Sequence, residues 1–192
     1  MNHWKERLRD RLEPILKAPD PRPQISAYHD MPFGIFLFPP EEEFSLRREL
    51  DDLEVRLTQA GKRVSRVSLS DCLHGAVARA GVSNDELAEH ERTLGTGPVL
   101  DTLREIVNSM APLEDLLLER VPDDAAPERD VVFLERAAAL YPVHRTSALM
   151  ERLQGRLAAP SVLFYPGTME GPAGLRFMGV LEAEHNYRPR IF

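Results

Sequence analysis

Residues Phe38-Pro39-Pro40-Glu41-Glu42-Glu43 stand where a nucleotide-binding α/β chain would carry its phosphate loop. A P-loop needs G-x-x-x-x-G-K-[ST] after the first buried strand, because backbone amides surround the phosphates and lysine adds charge. Two prolines remove two of those amides, and three carboxylates repel the anion that a helix N-terminus would otherwise attract. A Rossmann G-x-G-x-x-G is equally absent there, and Gly95-Thr96-Gly97 lies among helical patterns with no strand before it. Ordinary nucleotide binding is therefore disfavoured. The same carboxylates could hold a divalent cation, but favourable charge at a helix start explains them without one.

Other chemistries fare no better. The six histidines, His3, His29, His74, His90, His144 and His185, are scattered and form no H-E-x-x-H pair. His90 and Glu86 share a helical i, i+4 spacing, which is commoner on a solvated face than in a ligand set. No G-x-S-x-G elbow is present for serine hydrolysis. Cys72 near a helix start could be a thiolate nucleophile, although a lone cysteine more often packs as a small buried hydrophobe. Glu135 could serve a hydrolase but has no recognisable partner. Arg145 sits in the first turn of an expected helix, against the dipole, so it could have an acidic partner or a bound anion, although ordinary surface placement is the commoner case. Tyr165-Pro166-Gly167 is either a binding loop or a turn that needs proline and glycine geometry.

The elements that would position these residues alternate between strand and helix. Phe33 to Phe38 is a continuous apolar run bounded by prolines, as in a strand buried on both faces. Leu46, Leu50, Leu53, Leu57 and Ala60 then follow helical spacing up to Gly61, and Arg63 to Leu69 alternates as a second strand nearer an edge. Residues 70–121 contain no strand-like run and are read as an insertion of two or three helices, broken at Gly95-Thr96-Gly97-Pro98 and kinked or split at Pro112. Asp130 to Leu134 and Pro160 to Tyr165 are further strands, with a helix near 143–157 between them. Leu175 to Leu181 is a fifth strand that pairs antiparallel with the fourth, and 187–192 adds a short edge. The expected fold is a layered α/β domain with a mostly parallel sheet of about five strands, Rossmann-like or P-loop-like without the nucleotide-binding motif. Ligands in such folds bind beyond the carboxyl ends of the strands.

The expected organisation is an N-terminal helix over 1–18 with Trp4, Leu8, Leu12, Ile15 and Leu16 on helical spacing, a proline-rich linker over 19–32, and one α/β domain over 33–192. The 192 residues suffice for one sizeable core. A single cysteine allows no intrachain disulfide and suits a reducing cytoplasm. Nothing near Met1 resembles a signal peptide, and no apolar run approaches a bilayer span, so neither secretion nor membrane insertion is expected. Charge is uneven: residues 1–25 carry +2, 26–135 carry −12 and 136–192 carry +3. An acidic middle repels a phosphate backbone, so direct DNA binding is not expected unless it is local to the C-terminal third.

Several of these segments together resemble one family. Gly34-Ile35-Phe36-Leu37-Phe38-Pro39-Pro40-Glu41-Glu42-Glu43, Asp130-Val131-Val132-Phe133-Leu134, Ala139-Leu140-Tyr141-Pro142 and Val162-Leu163-Phe164-Tyr165-Pro166-Gly167-Thr168 are similar to BrxB, the small B component of bacterial BREX phage-resistance systems. Gly174-Leu175-Arg176-Phe177-Met178-Gly179 and Asn186-Tyr187-Arg188-Pro189 extend the likeness over nearly the whole chain. Those systems combine a DNA methyltransferase, a large ATPase, the phosphatase-like PglZ and small accessory proteins. The resemblance implies this context and transfers no reaction, cofactor, metal ligand or catalytic residue. Arg145, Tyr165, Gly167, Tyr187 and Arg188 are the candidate binding residues. The expected role is a non-catalytic adaptor that binds PglZ or the methyltransferase, docking through the N-terminal helix or the basic C-terminal third. The alternative is a degenerate nucleotide- or nucleic-acid-sensing module with Arg145 and Tyr165 at the mouth of its cleft.

Overall fold

With no polar side chain to turn towards water, Phe33–Phe38 forms the interior strand β1 and is buried at every position. The computed structural model describes residues 3–26, 32–171, 174–179 and 189–192. In it β1 pairs in parallel with β4 (Ser161–Glu170) on one side and with β6 (Arg190–Ile191) on the other. Strand β3 (Asp130–Glu135) lies between β4 and the edge strand β2 (Arg63–Ser68), again in parallel. The order is β2-β3-β4-β1-β6, with β5 (Gly174–Phe177) antiparallel on the projecting end of β4. The expected α/β architecture with a mostly parallel sheet is present, extended to six strands.

This order dictates where the helices go. From β1 the chain travels past β4 and β3 to reach β2, and then returns towards β1 through β3 and β4. Right-handed crossovers made in opposite directions must lie on opposite faces of the sheet. Helix α4 (Glu43–Gln59), which carries the outward step, accordingly places Leu46, Leu50, Leu53 and Leu57 against Phe36, Phe133 and Phe164. The three rings meet edge to face or tilted, with centroids 5.3 and 5.8 Å apart. The returning steps carry α5 (Leu69–Arg79), α6 (Asn84–Leu94), α7 (Thr96–Glu105), α8 (Leu113–Leu118) and α9 (Thr146–Leu153). The second core, under these helices, includes Ile35, Leu37, Val132, Leu134, Leu163 and Tyr165. Pro112 does split the long helical pattern: a π turn over Ile106–Met110 ends before it and α8 starts after it. Helix α9 is shorter than the 143–157 expected, because the chain leaves the helix after Leu153 and Gly155 takes a left-handed φ of 72°.

The N-terminal residues join the first face. Helices α1 (His3–Arg7) and α2 (Glu13–Lys17), joined by a π turn over Leu8–Leu12, bury Trp4, Leu8, Leu12, Ile15 and Leu16 in the same cluster as α4 and the sheet. Polar contacts fix the arrangement. Arg56 donates to both oxygens of Glu13 at 3.0 Å, Lys5 and Arg9 reach Glu49 at 3.0 and 3.1 Å, and Arg7 donates to the carbonyls of Leu37 at 2.8 Å and Phe192 at 3.1 Å. The buried Lys62 ammonium donates to the carbonyls of Ala18 and Glu128, both at 2.6 Å, and of Pro19 at 3.3 Å. One side chain thus ties the end of the N-terminal helix to the turn before β2 and the loop before β3. The short helix α3 (Arg22–Ile25) interrupts the expected linker and seats Ile25 in the same core.

Candidate functional site

The place to look for a ligand is the carboxyl edge of the sheet, above β1, where the order of the strands reverses. Four connections converge there: 39–43 after β1, 69–71 after β2, 136–145 after β3, and the β4–β5 hairpin.

The connection after β1 is closed to an anion. Pro39 and Pro40 have no N–H, the Glu42 amide is spent on the Pro39 carbonyl at 2.9 Å, and the Glu43 amide caps back to Pro40. No outward-facing nest of amides is left to hold a phosphate. After β2, Ser68 caps α5 by accepting from the Asp71 amide at 3.2 Å. Cys72, one turn on, is fully buried among the apolar residues of the second core, and burial pushes its thiol up to about 11. It is therefore a thiol rather than a thiolate near neutral pH, and it packs as a core residue.

After β3, the two charged residues go to ion pairs. Glu135 accepts from Arg66 on β2 at 2.5 and 2.9 Å, a two-pronged pairing, and Arg66 also reaches Glu54 at 3.4 Å and Asp51, both on α4. A carboxylate held in that fork is no free base for hydrolysis, the role the sequence left open for Glu135. Arg136 follows with a left-handed φ of 59° and pairs with Asp71 at 3.5 Å. This strained arginine at the strand end was not among the sequence candidates, and its neighbours in the sequence carry no mark of its backbone geometry.

The candidate binding residues separate. Arg145 precedes α9 in extended backbone, exposed, and it already has an interaction of its own. Tyr165 is 1% exposed and lies edge to face with Phe177, centroids 5.0 Å apart, inside the second core. Gly167 is the close-approach point of the β4–β5 pair, since a Cβ there would sit 2.3 Å from the Arg176 carbonyl oxygen and 2.8 Å from the Tyr165 ring. The structure thus gives Tyr165 and Gly167 a packing role that their residue types alone leave open. Tyr187 and Arg188 lie outside the described residues.

The N-terminal helix and several arginines of the basic C-terminal third are engaged within the protein. The apolar face of the N-terminal helix is covered by the protein's own sheet and α4. In the basic C-terminal third, Arg152 pairs with Glu114 at 3.5 Å and donates to Asn108 at 2.9 Å, Arg156 pairs with Asp115 at 2.6 Å, and Arg176 pairs with Glu170. Among these groups, His144 buries its Nε2 without a partner, and burial, reinforced by Arg152, holds its pKa below the ordinary imidazole value. Among the described residues, no group of three or more His, Cys, Asp or Glu could hold a metal ion, and no helix is long and apolar enough to cross a membrane.

Helices α6 and α7 form an exposed arm. A full capping box holds its start, with Ser83 Oγ accepting from the Glu86 amide at 3.2 Å and Glu86 accepting from the Ser83 amide at 2.7 Å. Beyond that cap, α6 buries none of its residues.

Comparison with curated proteins and with solved structures returns no match. A family model described as BREX protein BrxB matches residues 65–191, more than half of the chain. That span runs from within β2 to the last strand and takes in the helical insertion and the Phe164-Tyr165-Pro166-Gly167 element. The chain therefore belongs to the BrxB family and is a BREX component.

Proposed function

We propose that this BREX component is an accessory subunit with no reaction of its own, an adaptor that binds PglZ or, in second place, the methyltransferase of its system. The reading is supported by the carboxyl edge of the sheet, where an α/β enzyme or nucleotide sensor keeps its ligand groups. Here that edge carries Pro39-Pro40 in place of amide donors, Glu135 locked to Arg66, and Cys72 protonated in the core. Among the described residues, this edge presents no nucleophile–base pair and no set of oriented donors of the kind catalysis uses. Surface recognition is what such a protein can offer its partners.

The test is capture of each purified, co-encoded BREX subunit by this chain at two salt concentrations, with nuclease present to remove bridging DNA. A stoichiometric, nuclease-resistant complex with PglZ is the expected result. If no subunit forms a stable complex, the adaptor reading fails. A thermal-shift scan against nucleotides and short DNA then becomes the measurement to make, because a ligand selective for the native state must raise the midpoint.

A further inference from the structure

Helix α6 is the outlying element of the fold. All of its residues except Leu87 are exposed, and at 11 residues it is shorter than an isolated helix needs to be for stability in water. The arm joins the body at both ends: Ala80 and Val82, between α5 and α6, and Leu100 and Leu103 on α7 pack against the second core. At the outer turn, just before Gly95, Leu94 is 62% exposed. Over residues 84–105 the arm carries six carboxylates, Asp85, Glu86, Glu89, Glu91, Asp101 and Glu105, against two arginines, Arg92 and Arg104.

Those charges select the occupant. The chain as a whole carries −7, so a second copy would set like charges against one another, and nucleic acid or an anionic membrane would be repelled in the same way. A basic protein surface is attracted. An exposed leucine at the tip of an acidic helical arm suits a cationic groove with an apolar pocket at its end, the helix-in-groove mode of recognition. We infer that the α6–α7 arm is the docking element of this protein and that its partner presents a positively charged groove that takes Leu94 as anchor. The inference rests on the adaptor reading and adds the surface and the chemistry of the partner to it.

The test titrates each purified, co-encoded BREX subunit against four full-length chains: the wild type, Glu89→Lys with Glu91→Lys, Leu94→Ala, and Glu41→Lys with Glu42→Lys. The last makes the same change in net charge at the carboxyl edge instead of the arm. All the altered residues are exposed or half-buried, so each variant should stay folded with a thermal midpoint only slightly below wild type, the control pair losing favourable charge at a helix start. The arm double variant is expected to weaken binding roughly tenfold or more and to flatten its salt dependence, because like charges then face each other across the contact. Leu94→Ala is expected to weaken binding several-fold at both salt concentrations, while the control pair leaves affinity near wild type. Undiminished binding by both arm variants, or equal weakening by the control pair, would overturn the docking assignment while leaving the adaptor reading in place. A wild-type chain that binds none of the subunits would remove both.

Discussion

On one face of the sheet, α1, α2 and α4 cover β1, β3 and β4 completely, and the contact is fastened by Lys62, Arg7 and the carboxylates Glu13 and Glu49. On the other face, α5, α8 and α9 make an equally apolar core, but the chain between them swings out into α6 and α7 and leaves a capped helix with nothing buried. Both regions are helical, and the sequence predicts helices in both. The first uses its apolar stripe internally, whereas the second leaves its surface available, so the two should respond differently to every perturbation.

The largest contrast lies in apolar truncation. Leu50→Ala on the covered face removes a fully buried side chain and should cost about 3 kcal/mol in chemical denaturation, whereas Leu94→Ala on the arm should stay within about 0.5 kcal/mol. Comparable losses at both sites would show that the arm is packed in solution. Next comes Lys62→Met, which keeps the stem but strands three carbonyls without their donor. It should cost about 2 kcal/mol and raise amide exchange in residues 3–17 before it does so in α6.

Acid should then separate the regions. Burial raises the pKa of both Glu13 and Glu49, but hydrogen bonds from Arg56 and Lys17 on the first, and from Lys5 and Arg9 on the second, bring each below the ordinary value. The unfolded chain therefore binds more protons than the native one in the acid range. The stability these pairs supply is complete above roughly pH 4–5 and is lost as pH falls through the native values. Glu13→Gln combined with Glu49→Gln should flatten the acid limb of the thermal midpoint, and an unchanged limb would assign acid sensitivity elsewhere. The smallest global effect belongs to Ser83→Ala. Loss of the cap should destabilise α6 locally by about 1 kcal/mol, seen as faster exchange in 84–94, while the global midpoint holds.

Much of the fold could be read from local pattern. The unalternating run at Phe33–Phe38 predicts a strand buried on both faces, and it is an interior strand buried at every position. The leucines of α4 predict a one-faced helix, and Leu46, Leu50, Leu53 and Leu57 are all buried, while Ala60, the last of the expected stripe, is exposed at the helix end. The site was less legible. Tyr165 and Gly167 have residue types that suit either a binding loop or a tight strand pair, and the choice depends on β5, which folds back on β4 and brings Phe177 and the Arg176 carbonyl against them. Glu135 reads as a free carboxylate until Arg66, 69 positions away, arrives from the neighbouring strand.

The match to the BrxB family begins at residue 65, inside β2, yet the fully buried strand β1 and the helix over the first face of the sheet both precede it. The sequence by itself determined the alternation of strands and helices, the break at Pro112 and the absence of a phosphate loop, because proline, glycine and hydrophobic period act over a few residues. Only the tertiary structure decided which apolar stripe is covered and which charges are spent. The stripe Trp4, Leu8, Leu12 and Leu16 looks the same whether it faces the protein's own sheet or a partner's, and an ion pair exists only once two distant segments meet.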